Sequence, residues 1–433
     1  MSAGLGFWLA ADAPATFGAL QRDSGSVQDV AQQRLSRLLF HVARNNPFYG
    51  RRLQAAGIEW ADPILWRDPY AALAALAPVS KLALRRAGNR VFDEGELRPE
   101  WYSSSSSGST GEPFRVYYEA RAWARLKYLI KLRARRACGV RPTDRVALLD
   151  ATKPAAGGRR ARWASRWIRI SILQPASAVA AELEAFAPNV LYGLPSALLD
   201  AGRILQQQGR QLPVKAVFTS GELLHTLSRL NLSSAFEAPV YDVYGTSETK
   251  EIAWQCSAGN MHLNHDVVHL ETVDDEGRSL PRGQEGDLVA TVLVNRAMPL
   301  IRYLTGDRGS LLAGTCSCGC AMPLLGVVTG RTADTLVMRN GHRISPYALT
   351  SAIERIPGVL RYQVSQLDQA RVRVRAILEA AADRSLVTAQ VRTALRYDVA
   401  PFLDADVEFV DRLPTGPRSK FRVVESLQTR ETI

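Results

Sequence analysis

Between residues 140 and 250 the chain switches repeatedly between two hydrophobic periods. In "GVRPTDRVALLD" a Pro-containing turn leads into an apolar run, Val146 to Leu149, that suits a buried strand. A Gly- and Arg-rich loop follows, and then a second strand candidate at Ile168 to Leu173. "AAELEAFAPNVLYGLPSALLDAGRILQQQG" reads as helix, strand, helix, while "VKAVFTSGELL" and "APVYDVYGTSET" are strands ending in polar turns. Parallel strands need long crossovers, usually helices. The alternation therefore predicts an α/β fold with a largely parallel sheet. Ligands of such sheets bind beyond the carboxyl ends of the strands. "TSGE", with Gly221 and Glu222, and "YGTSE", Tyr244 to Glu248, stand at those ends.

The flanks follow other patterns. Residues 28–57 carry apolar side chains at helical spacing, and Asn-Pro and Gly in "NNPFYG" should stop the helix. From about 262 to 328 the pattern is that of antiparallel strands with an acidic Gly turn. Residues 335–433 read as a hairpin turning at Asn340-Gly341, a helix, two strands, a helix and a strand. The expectation is a large N-terminal αβα-layered domain with an antiparallel β subdomain (1–330), followed by a small mobile C-terminal α+β domain (334–433). No internal repeat is visible.

A chain of 433 residues, 46% of them apolar, can bury two or three cores. It has no apolar run of 18 residues, which argues against a membrane span. "MSAGLGFWLAADAPA" lacks the basic start of a signal peptide, so the expected location is the cytoplasm. The net charge of +12 can attract nucleotides, nucleic acid, acidic carrier proteins or membrane surfaces. The basic stretch "YLIKLRARR" has helical spacing and is expected to form a solvated face. No zinc-finger, RNA-recognition or basic-zipper pattern occurs, so nucleic acid is not an expected partner. The five cysteines are odd in number and argue against a disulfide framework. Cys256 and His262 in "CSAGNMH", with Cys316 and Cys318 in "CSCGC", form a soft N/S donor set that suits Zn²⁺. Cys320 is read as a spare thiol or an alternative ligand. "YSSSSSGSTGEPFRVYY" is either a serine linker or an anion-holding loop.

"SSSGSTGEP", "YGTSE", "YLTGD", "GR-TAD" and "LPTGPRSKFRVV" occur in that order from about residue 104 to residue 424. This order resembles the adenylate-forming superfamily of acyl-CoA synthetases and adenylation domains. "RLLFHVARNNPFYGRRL" and "YGLPS" are similar to its phenylacetate-CoA ligase and capsule-biosynthesis branch. The resemblance implies that Ser106, Ser107, Gly108, Ser109, Thr110 and Gly111 hold the ATP phosphates, and this decides for the anion-holding loop. The family often has Lys after the last glycine, where this chain has Glu112. The resemblance also implies that Gly221, Glu222, Tyr244, Gly245 and Thr246 contact the nucleotide. Glu248 would hold Mg²⁺, Asp307 the ribose hydroxyls, and Arg331 the ribose or phosphates. Thr332-Ala333-Asp334 would form the hinge, and Lys420 would join the carboxylate to the α-phosphate. Thr246, Glu248 and Lys420 would be catalytic. Related members carry a structural zinc on a similar Cys/His set.

The expected activity is ATP-dependent carboxylate activation to acyl-AMP and pyrophosphate. Acyl transfer to the thiol of coenzyme A or a carrier protein would follow, with an aromatic acid favoured. Two alternatives are an amide- or ester-forming ligase working through the same adenylate and a non-catalytic nucleotide-binding relative. A homodimer is left open.

Overall fold

The structure is a computed structural model that describes residues 3–105, 114–151, 165–331, 334–339, 341–413 and 421–427. The candidate phosphate-loop residues Ser106 to Gly111, the pivot Ala333, the turn residue Asn340 and the candidate catalytic Lys420 lie outside the described residues. The chain divides into two compact units, Met1–Gly139 with Val243–Val328, and Val140–Asp242 with Thr329–Ile433.

In the first unit, helix Ser24–Asn45 buries Val27, Ala31, Leu35, Leu38, Leu39 and Val42 along one stripe, and Asp23 caps its N-terminus. Asn46 ends this helix as expected, but the chain does not then become a loop. The Asn46 side-chain oxygen accepts the Phe48 and Tyr49 N–H groups and starts a second helix, Pro47–Ala55, with proline in its first turn. Strands Tyr102–Ser105 and Arg115–Tyr118 pair antiparallel on either side of the serine-glycine segment. Val268–Val273, Glu285–Val292 and Tyr303–Leu312 form an antiparallel meander. Lys250–Gln255 pairs antiparallel with Met261–Leu263, which in turn meets Leu324 and Leu325.

The basic stretch near residue 130 corrects one expectation. Arg133 is fully buried and Arg135 nearly so. Arg133 donates to Asp266 Oδ1 at 2.8 Å and to Asn264 Oδ1, so its charge is compensated inside the core. The helix holding it has a π turn at Ala124–Leu129. That turn inserts an extra residue and rotates the face that follows it.

In the second unit, strands Val146–Asp150, Trp167–Ser171, Val190–Gly193 and Ala216–Ser220 are parallel neighbours. Helices Ala176–Phe186, Pro195–Gln207 and Thr226–Phe236 alternate with them, as the sequence predicts. Gly193 has no room for a side chain, because a Cβ would come within 2.8 Å of Leu149 Cβ. The C-terminal module has a core of its own. Its strands run in the order Asp404–Phe409, Arg371–Leu378, Val359–Gln366, Val424–Glu425. Helices Pro346–Ile353 and Arg384–Ala394 complete it. Among the described residues, no helix is long and apolar enough to cross a membrane.

Candidate functional site

Strand Val240–Thr246 ends in a tight turn into Lys250–Gln255. Its pairing slips by one residue between Tyr244 and Gly245. Gly245 is required there, since a Cβ would collide with the Lys250 carbonyl. Thr246 Oγ1 accepts the backbone N–H groups of Glu248 (3.2 Å) and Thr249 (3.1 Å), which folds the turn back on itself. Lys250 lies in left-handed backbone, φ 66°, and its Nζ donates to the Ser247 carbonyl at 2.6 Å.

This turn delivers the Glu248 side chain to the unit's interior. Its carboxylate is buried, and Lys81 Nζ forms an ion pair with Oε1 at 2.9 Å. The Tyr118 hydroxyl donates to the Glu248 carbonyl oxygen at 2.5 Å. Burial alone would raise the Glu248 pKa. The charge and hydrogen bond of Lys81 outweigh it and hold the carboxyl below the usual range. Lys250 is the converse case: burial and the nearby Lys127 push it down to about 7.

The Tyr244 hydroxyl donates to Asp307 Oδ2 at 2.9 Å. Two motifs 63 residues apart in sequence thus meet in space. Gly306, at φ 81°, turns the strand Tyr303–Leu312 locally, and the Asp307 N–H donates to Thr305 Oγ1. The Tyr303 phenol is held in its protonated form by burial and by the charges of Glu248 and Asp307. Tyr244, Thr246, Glu248 and Asp307 are therefore gathered in the first unit. Lys81, Tyr118 and Lys250 join them without any motif to announce them.

A second constellation in the same unit is the Cys/His set. The ligand atoms of Cys256, His262, Cys316 and Cys318 all lie within 4.8 Å of one another. Two matched turns present them: the Gly259 N–H donates to the Cys256 carbonyl, and the Gly319 N–H to the Cys316 carbonyl. Cys256 and Cys316 Sγ are 3.6 Å apart, and Cys318 Sγ is 3.3 Å from His262 Nε2. A tetrahedral Zn²⁺ with bonds of about 2.3 Å to sulfur and 2.0–2.1 Å to nitrogen needs edges of about 3.8 and 3.6 Å. His262 Nδ1–H donates to the Met322 carbonyl at 3.1 Å, which fixes the tautomer with Nε2 free to ligate. Burial opposes ionisation of Cys316, but N–H donors from Cys318 and Asn260 hold its thiol at about 6. Burial and the neighbouring Cys316 and Cys256 push Cys318 up to about 12. A bound cation would favour the thiolate form of these ligands. Cys320 is buried outside the four-donor set, though it faces His262.

In the second unit, Gly221 follows strand Ala216–Ser220 at φ 89°. Glu222 accepts Ser196 N–H (3.0 Å), Ser196 Oγ–H (2.9 Å) and Phe421 N–H (2.9 Å). Burial raises its pKa, partly offset by these donors. Arg331 closes strand Leu324–Arg331 and is exposed.

No family model matches the chain. Among curated proteins, it is 28% identical over 366 residues to a phenylacetate-coenzyme A ligase of Thermus thermophilus, covering 79% of this chain and 80% of that one. It is 23% identical over 253 residues to the CapK protein of Staphylococcus aureus, covering 56% and 53% of the two chains. Among solved structures, a 2-hydroxyisobutyryl-CoA ligase in a postadenylation state with R3-HIB-AMP superposes with a TM-score of 0.76 at 20% identity, covering 94% of this chain and 91% of that one. At that identity the likeness speaks for the fold.

Proposed function

We propose that this chain, an adenylate-forming ligase homologous to the phenylacetate-coenzyme A ligases, activates a carboxylic acid with ATP and hands the acyl group to a thiol. A carboxylate oxygen attacks the α-phosphorus, the bond to the β-phosphate oxygen breaks, and acyl-AMP and pyrophosphate result. The thiolate then attacks the acyl carbon and AMP leaves. The observation that carries this reading is the Tyr244–Asp307 hydrogen bond beside the buried Glu248. It joins an aromatic face for a base, a carboxylate for ribose hydroxyls and an ionised oxygen ligand.

Thr246 would meet the α-phosphate, and Ser106 to Gly111 with Gly221 and Arg331 would complete the nucleotide contacts. Mg²⁺ fits Glu248, a buried oxygen donor held ionised and already paired with a cation. When bound, it would neutralise phosphate charge. Zn²⁺ fits Cys256, His262, Cys316 and Cys318 and would brace the two turns. Functionally, residues 1–330 would hold ATP and acid, and 334–433 would bring Lys420 to the reaction. Phenylacetate-coenzyme A ligases as relatives support an aromatic acid, and a thiol of coenzyme A or a carrier protein as acceptor. We place the reaction in the cytoplasm, where ATP and thiol acceptors are held.

The test is acid-dependent ATP–pyrophosphate exchange over a panel of aromatic and aliphatic acids, followed by product analysis with thiol, amine and hydroxyl acceptors. Exchange with an aromatic acid and a thioester product is the expected result. Exchange without thioester would make it an amide or ester ligase, and no exchange with any acid would make it a non-catalytic nucleotide binder.

A further inference from the structure

We propose that Lys250 selects the acid, favouring an aromatic carboxylic acid whose ring carries a second carboxylate. This rests on the ligase reading above and names the substrate class of that same site. The acid must bring its reacting carboxylate to the α-phosphorus, and Thr246 is the residue proposed to meet that phosphate. Lys250 ends the turn that Thr246 begins. Its Nζ donates to the Ser247 carbonyl at 2.6 Å, so the ammonium lies against the backbone of that turn.

The surroundings of this ammonium are aromatic. Nζ lies 5.0 Å from the Tyr118 ring centroid and 5.5 Å from that of Trp123. Tyr102 stacks on Trp123, with centroids 5.5 Å apart and planes 12° apart. The Tyr118 hydroxyl ties its ring to the same turn through the Glu248 carbonyl. Lys127 brings a second ammonium, 4.3 Å from the Trp123 centroid. Tyr118 and Trp123 are buried, whereas Tyr102, Lys127 and Lys250 are half-exposed. The group thus has an aromatic base and a reachable cationic rim, which suits a flat anion.

The charges differ in what they face. Lys81 pairs with Glu248 at 2.9 Å, and Lys131 with Glu251 at 3.4 Å. Lys250 faces a neutral carbonyl and two rings, and Glu248 acts on it only at longer range. Ser247 takes one ammonium hydrogen, and the others remain to meet an anion. Burial and Lys127 push the Lys250 pKa down to about 7, and an anion beside it would restore the full charge. The backbone gives an independent reason. Left-handed backbone is routine at helix ends, where Ala187 and Glu237 adopt it. Lys250 opens strand Lys250–Gln255 instead, at φ 66°, a conformation glycine would hold without strain. Lys250 therefore combines a strained backbone with a desolvated charge, and such strain clusters at ligand-binding positions.

The experiment measures acid-dependent ATP–pyrophosphate exchange in the full-length parent, Lys250→Met, Lys250→Arg and Lys250→Gly. The acids are phenylacetate and its ring-hydroxylated and ring-carboxylated derivatives. In the parent, kcat/KM should be at least about 10-fold higher for a ring-carboxylated acid than for phenylacetate. In Lys250→Met that ratio should fall about 10–100-fold, the span of a lost charge-assisted hydrogen bond, chiefly through KM for the acid. Lys250→Arg keeps a cation and should retain part of the ratio. Lys250→Gly removes the charge and the strain together and should lower the ratio as Lys250→Met does; it carries the test if the methionine variant does not fold. A parent that prefers phenylacetate or a hydroxylated acid overturns the proposal. So does a Lys250→Met ratio equal to the parent's, whatever the absolute rates, since that would make Lys250 a brace for the turn. Absence of exchange in the parent with every acid is a failure of the ligase reading instead. Calorimetric binding of a ring-carboxylated acid to the parent, lost in Lys250→Met, would then still support the role of Lys250, and no binding would overturn it.

Discussion

Lys81→Met isolates the charge that shapes Glu248. The two side chains differ in exposure, 32% for Lys81 against 6% for Glu248. An exposed ion pair is worth about 0–1 kcal/mol, and breaking a buried one costs about 3–5 kcal/mol. A pair with one buried and one partly solvated member falls between, at about 2 kcal/mol. Methionine keeps most of the apolar stem, so the loss is chiefly electrostatic. Its pH dependence has a definite sign. The folded pKa of Glu248 is depressed in the parent, so the contribution of Lys81 is fully present above the unfolded carboxyl pKa. It is lost as pH falls through the folded pKa. In the variant, burial acts unopposed and the carboxyl pKa rises, so the variant gains relative stability on acidification. The gap between parent and variant should be about 2 kcal/mol at pH 7, or about 4–8 °C for a unit of this size, and should close below about pH 4. Thermal melts across that range, followed by tryptophan fluorescence, provide the comparison. A gap that does not change with pH would refute the electrostatic account and leave Lys81 a packing residue.

Protein purified without added metal should contain one zinc per chain. Cys316→Ala should lose it and melt lower, whereas a metal-free parent with an unchanged melting temperature would remove the claim. Lys420→Ala should lose ATP–pyrophosphate exchange by about 10²–10³-fold yet transfer a supplied acyl-AMP normally, and normal exchange would make it a surface lysine. His265 and His269 are held neutral by burial, His265 down to about 3 and His269 to about 4. The unfolded chain therefore binds more protons below about pH 6.5, and stability should fall from there toward pH 4, a slope that His269→Gln reduces. Thioester formation should slow as salt rises if the +12 balance steers an anionic acceptor, with activation rate as the control.

The alternation of strands and helices over 146–236 was legible because a buried parallel sheet forces two periods on the chain. Tyr244 and Asp307 were singled out only through the motifs that carry the resemblance; the structure brings them together, each beside a glycine that the local backbone needs, Gly245 for close approach and Gly306 for positive φ. The groups that tune them were not. Lys81 opens a short helix capped by Ser80, a pattern that signals only a helix start. Lys250 and Tyr118 meet the site through side-chain packing, which leaves no period in the sequence. The basic stretch misled for a specific reason. Spacing predicts a helical face, but the π turn at Ala124–Leu129 shifts which residues share it, and the partner of Arg133 lies 133 residues away. The restart at Pro47 was missed because Asn-Pro both ends one helix and caps the next.

Two glutamates near strand ends, Glu248 buried and Glu222 half-buried, sit in different electrostatic surroundings. Glu248 faces a lysine ammonium, and its carboxyl is held down. It stays an anion through the neutral range, as the proposed Mg²⁺ ligand would have to. Glu222 faces N–H and O–H donors, with Arg361 as its charged neighbour at longer range, and burial lifts its pKa. Its hold on Phe421 is thus weaker than an ion pair of equal burial, since each donor offsets only part of the desolvation cost.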